Sequence, residues 1–128
     1  MAEVFHPNIP IYLQLIESVK RKIVSGELSP GQRLPSVRDL AQTYEVNPNT
    51  AQRALAELER EGLVYSERTA GRFITNDGGL IEMTRTELAK EQIENFITEM
   101  QRLGFTNEQL LQELEQKLKK EERQDERK

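Results

Sequence analysis

Asn49, Thr50, Gln52 and Arg53 stand close together in this chain, and their types and spacing suit recognition through hydrogen bonds. Asn and Gln each set a donor beside an acceptor and match the edge of adenine, while the Arg fork matches guanine. A good bidentate pair of this kind is worth roughly 1–3 kcal/mol of discrimination between bases. The four residues open a helix whose start is marked by Asn47 as N-cap and Pro48 as first helical residue. A helix that reads a major groove needs such groups near its N-terminus and a slim face behind them. Other uses compete: Arg53 precedes Glu57 by four residues, the spacing of a solvated ion pair, and Asn-Pro starts helices of every kind.

Two further groups fit the same chemistry. Ser36 and Arg38 begin another helix, where free backbone N–H groups, a hydroxyl and a guanidinium suit a phosphate. The segment Arg68-Thr69-Ala70-Gly71-Arg72 places two cations around a glycine, and a narrow minor groove admits both Arg and a slim backbone. Taken singly, Ser36 is a cap, and Arg68 and Arg72 are hairpin charges. No comparable set points to catalysis. The chain has no cysteine and one histidine, His6, which excludes disulfides, thiolate chemistry and Cys- or His-rich metal sites. Nucleophile–base pairings and Gly-rich phosphate loops are missing from the sequence as well, so neither an enzyme nor a cofactor or metal is expected.

The net charge of −4 does not advertise a nucleic-acid partner. The acid excess is uneven: residues 1–80 carry nine basic and ten acidic side chains, residues 81–128 nine and twelve. A local basic face is enough for DNA, so the total excludes nothing. No apolar run has the length of a membrane span, and the opening MAEVFHPNIP lacks the features of a signal peptide. A cytoplasmic protein without a membrane partner is expected. At 36 % hydrophobic and 31 % charged residues, the composition suits an elongated, helix-rich molecule that completes its burial in a partner.

The elements that must position these residues follow from periodicity. A first helix is expected from Ile11 to about Ser25, with Ile11, Leu15, Val19 and Ile23 on one stripe widened by Tyr12 and Ile16. After the Pro30-Gly31 turn comes a short helix capped by Ser36, with Val37, Leu40, Ala41 and Tyr44 inside. The third helix buries Ala51, Ala54, Leu55 and Leu58 and stops at Gly62. Leu63–Tyr65 and Phe73–Thr75 read as strands joined by a loop over residues 66–71, which makes a wing. The fold class is therefore mostly α with a small β-hairpin, a winged helix-turn-helix over residues 1–77. Asn76-Asp77-Gly78-Gly79 is expected as a linker.

Residues 80–120 predict two amphipathic helices. The first, from about Ile81 to Leu103, carries Ile93, Phe96, Ile97, Met100 and Leu103. The second starts at a capping box of Thr106 and Gln109 and carries Leu110, Leu111, Leu114 and Leu118. These stripes would leave a large apolar patch on a monomer, so they are expected to form a homodimer interface; packing back on the winged domain is the competing use. The charged run of residues 121–128 is expected to be disordered.

The run Ser25-Gly26-Glu27-Leu28-Ser29-Pro30-Gly31-Gln32-Arg33-Leu34-Pro35-Ser36-Val37-Arg38-Asp39-Leu40-Ala41 resembles the signature of the GntR family of bacterial regulators. So do Val46 to Leu55, Leu58 to Val64 and the opening Ile9-Pro10-Ile11-Tyr12. The resemblance implies a winged helix-turn-helix that binds palindromic operator DNA as a homodimer. It also implies DNA contacts by Arg38, by the polar residues from Asn47 to Arg53, and by Gly71 in the minor groove. Many members carry Arg where this chain has Pro48 or Gln52, and the wing here lacks the first of the family's two glycines. The short helical tail resembles the YtrA-type subfamily, whose members often act on ABC-type transporter operons. The inducing signal and any small-molecule effector stay open, and a winged-helix protein adaptor and a ligand-sensing regulator remain alternatives.

Overall fold

The computed structural model describes residues 6–126. Among them, five helices and one hairpin follow in the order α1 (Ile11–Val24), α2 (Val37–Tyr44), α3 (Pro48–Arg60), β1 (Val64–Glu67), β2 (Gly71–Ile74), α4 (Gly78–Arg102) and α5 (Asn107–Glu126). They divide into two units, Met1–Leu88 and Ala89–Lys128, so the division falls inside α4. The stretch from Asn76 to Gly79, expected as a linker, holds the start of that helix. Asp77 is the reason: its carboxylate accepts from the Leu80 N–H at 3.1 Å and its carbonyl from the Ile81 N–H at 3.1 Å. Ile81 is then buried in the core of the first unit.

Local signals in the first unit produce the helices they announce. In α1, Leu15, Ile16, Val19 and Ile23 are buried, while Ile11 stays exposed at the first turn. Ser36 Oγ accepts from the Asp39 N–H at 3.1 Å and starts α2. That helix closes through Glu45, a left-handed residue at φ 54°, with Val46 N–H bonding back to the Ala41 carbonyl at 2.9 Å. The next residue but one, Asn47, caps α3 by accepting from the Asn49 N–H at 2.8 Å. Ala51, Ala54, Leu55 and Leu58 are all fully buried. The two alanines leave room for α3 to pack against both α1 and α2.

The hairpin pairs Val64 with Ile74 through to Glu67 with Gly71. Its strands run further toward the tip than expected, and the loop shrinks to Arg68, Thr69 and Ala70. The other edge of β2 is also occupied. Leu34 N–H donates to the Arg72 carbonyl at 2.8 Å, and Ile74 N–H to the Gln32 carbonyl at 2.9 Å. Residues 32–34, for which the sequence predicts no element, thus bridge to the sheet and bind the start of the helix-turn-helix to the wing. Satisfying a second row of backbone groups is what stabilises so short a hairpin.

In the second unit, α4 ends in a Schellman turn: Phe105 N–H donates to the Met100 carbonyl and Gly104 N–H to the Gln101 carbonyl. The expected capping box forms, with Thr106 N–H donating to Gln109 Oε1 at 2.9 Å and Gln109 N–H to Thr106 Oγ1 at 3.2 Å. The charged tail corrects an expectation. Residues 121–126 continue α5, because Glu, Arg and Gln are good helix formers that need no packing to extend an existing helix; Arg127 and Lys128 lie outside the described residues. Among the described residues no helix is long and apolar enough to cross a membrane. None of the expected stripe is buried: Ile97, Met100 and Leu110 are half-buried, and Ile93, Phe96, Leu103, Leu111, Leu114 and Leu118 are exposed.

Candidate nucleic-acid interface

The N-terminal turns of α3 bring together the predicted readers. Asn47, Asn49, Gln52 and Arg53 are exposed, and Thr50 is half-buried. Burial of the opposite face orients them, since residues at 51, 54, 55 and 58 are locked in the core. Arg53 makes no use of Glu57, which is engaged by Arg60 one turn on, with Arg60 Nε 2.9 Å from Glu57 Oε2. That bond holds the Glu57 carboxyl below its ordinary pKa. Arg53 lies instead over the ring of Tyr12 on α1, its Cζ 3.7 Å from the ring centre. An open groove of about 390 Å³ runs alongside, lined by Ile11, Tyr12, Asn49, Thr50 and Arg53.

The wing divides its cations between two tasks. Arg68 and Thr69 stand exposed at the tip. Arg72, expected there as a second free cation, is drawn back against α3. Its Nε donates to Glu59 Oε1 at 2.8 Å and its Nη2 reaches Gln52 Oε1 at 3.4 Å. Ser66 Oγ donates to the same Glu59 carboxylate. The Ser66 hydroxyl, then Arg72, hold the Glu59 carboxyl below its ordinary range. The cause is strand alternation: Ser66 and Arg72 are cross-strand partners on the face turned to α3. Gln52 and Glu59 on α3 and the wing are thereby joined through one guanidinium.

Gly71 has φ +107°, a conformation that side chains rarely adopt. A Cβ there would also lie 3.1 Å from Arg33 Nε, so the glycine lets the Arg33 guanidinium rest on the wing backbone. Arg33, Ser36, Gly71 and Arg72 share a groove of about 450 Å³ that also includes Asp39. Arg38 is exposed on the first turn of α2. Sequence reasoning left out Arg33 and assigned Tyr12 to the core stripe alone. The available signal for Arg33 was its place beside Leu34, which is buried, so that strand-like alternation turns Arg33 outward.

A family model described as "Bacterial regulatory proteins, gntR family" matches residues 11–74, the span from α1 to the end of β2. The chain belongs to the GntR family. It is similar to the HTH-type transcriptional regulator YhcF of Bacillus subtilis (strain 168), at 40% identity over 84% of this chain and 89% of that one. The transcriptional repressor YtrA of the same organism is 38% identical over 80% of each chain. A solved GntR family regulator from Listeria monocytogenes superposes with a TM-score of 0.78 at 40% identity, covering 88% of this chain and 98% of its own. The DNA-binding domain of AraR in complex with operator ORX1 superposes at 0.54 and 28% identity over 59% of this chain and 95% of its own.

The GntR-family chain is thus a DNA-binding transcriptional regulator with a winged helix, and its relatives are regulators and not enzymes. Family membership also bears on the surfaces described above. The α3 face, the start of α2 and the wing all fall within the matched span of the GntR regulator.

Proposed function

We propose that this GntR-family regulator is a cytoplasmic repressor that binds a palindromic operator as a homodimer. The exposed polar opening of α3, set beside the wing by the Gln52–Arg72–Glu59 contacts, is the observation that carries the reading. In it Asn47, Asn49, Thr50, Gln52 and Arg53 meet base edges and adjoining phosphates. Ser36 and Arg38 hold a phosphate at the start of α2. Arg68, Thr69 and Gly71 enter the minor groove, and Arg72 acts from behind by fixing the wing.

Dimerisation is supported by the apolar side chains of the second unit, of which Ile93 is 57% and Leu103 72% exposed. A two-fold axis through such a face covers it with its own copy and presents two readers to half-sites about one helical turn or more apart. Repression is supported by the name of the similar YtrA. The target is proposed to be an ABC-type transporter operon, as the resemblance to the YtrA-type subfamily implies.

Selection of duplexes from a random pool at fixed salt tests the whole reading. A palindrome with regular half-site spacing is expected. Bulk binding that falls with salt and enriches no sequence overturns it.

A further inference from the structure

Tyr12 stands at the start of α1, half-buried against the core, and takes the Arg53 guanidinium on its face at 3.7 Å. At that distance the guanidinium carbon touches the ring face, well inside the range of a cation–π pair. A guanidinium has five N–H donors, and contact with one ring leaves those that point away from it able to donate. Both side chains line the open groove at the start of α3, together with Asn49 and Thr50. An unsupported Arg on a helix surface samples many rotamers. This one is held by a ring that is itself anchored in the core.

We propose that Tyr12 is a positioning residue for base reading: its ring holds the Arg53 side chain in place, so that α1 takes part in sequence preference without carrying a base contact of its own. The inference rests on the reading of Arg53 as a base contact. It makes a demand that a purely structural tyrosine would not. Loss of the ring must weaken selected DNA more than random DNA, because random binding depends on phosphates that Arg53 does not need to reach in one geometry.

The test compares affinity for a selected duplex and for a random duplex of equal length, at one salt concentration, together with base preference from a randomised pool. Tyr12→Leu is expected to lose about three- to tenfold for the selected duplex and little for the random one. It should relax preference at the same base pair as Arg53→Ala. In the Arg53→Ala background it should add nothing, and Tyr12→Phe should restore the wild-type ratio. If Tyr12→Leu folds poorly, Tyr12→Met supplies the ringless variant. An unchanged selected-to-random ratio in the ringless variant, while Arg53→Ala still relaxes preference, overturns the inference alone. Equal losses for both duplexes also overturn it, assigning Tyr12 to packing. No effect of Arg53→Ala overturns the reading of Arg53 and the inference with it.

Discussion

The two units of this regulator answer the same sequence pattern in opposite ways. In α1 and α3, apolar residues at helical spacing are buried: Leu15, Val19, Ala51, Ala54, Leu55 and Leu58 are all covered within the chain. In α4 and α5 the spacing is as regular, yet Ile93, Phe96, Leu103, Leu111, Leu114 and Leu118 stay exposed. An amphipathic pattern states that a face wants covering and does not state by what. The winged unit has three helices and a hairpin to cover one another. The second unit has one turn between two helices, and its apolar side chains await another surface.

Substitutions in the two units should therefore behave differently. The largest effect is expected for Leu55→Ala, which hollows the core of the winged unit and should cost about 2–5 kcal/mol in chemical denaturation. Leu114→Asp should leave the winged unit folded and raise the dimer dissociation constant on the order of 100-fold, read by light scattering across a concentration series. If Leu114→Asp unfolds the winged unit instead, or leaves a dimer at micromolar concentration, the contrast between the units fails.

Within the winged unit, DNA binding can be separated from folding. Arg53→Ala should cost about 1–3 kcal/mol of operator affinity and relax preference at one base pair. Arg38→Ala should weaken all sequences alike and lower the salt dependence by about one phosphate contact. Neither should move the melting temperature. Smaller still is Glu45→Gly at the turn between α2 and α3. It removes a left-handed glutamate and should stabilise by about 0.5–1 kcal/mol, seen as a raised melting temperature.

The smallest effect concerns pH. The folded Glu59 carboxyl has a lowered pKa, so its bonds to Ser66 and Arg72 stabilise the fold fully above the unfolded value near 4.5 and fade as pH falls through the lower, folded value. Glu59→Gln should flatten that acid limb of stability, by less than about 1 kcal/mol because the pair is partly solvated. An unaltered acid limb would show that the wing is held by its backbone bonds to residues 32–34 and not by Glu59.

Much of this was legible in the chain, for local reasons. Ser36, Asn47 and Thr106 start helices because each side-chain oxygen accepts from an N–H two or three residues on. Gly104 ends one because its φ of +92° suits a residue without a Cβ. Glu45 shows the limit: a left-handed residue that is not glycine leaves no mark in composition, although the Val46 N–H bond to the Ala41 carbonyl closes the helix through it. The tail beyond residue 120 misled in the other direction, since lack of apolar residues argues against packing and not against helix.

The sequence by itself determined where α1, α2, α3 and α5 begin, which faces are apolar, and which polar residues open α3, because those depend on neighbours a few positions away. Tertiary structure alone decided the partners of three arginines at the candidate interface. Arg53 went to Tyr12 and not to Glu57, Arg72 went to Glu59 and not to the wing tip, and Arg33 came to rest on Gly71. A long cation can reach any acceptor or ring that folding brings within a few ångströms. Its choice is settled by the arrangement of elements distant in the chain, which local spacing does not encode.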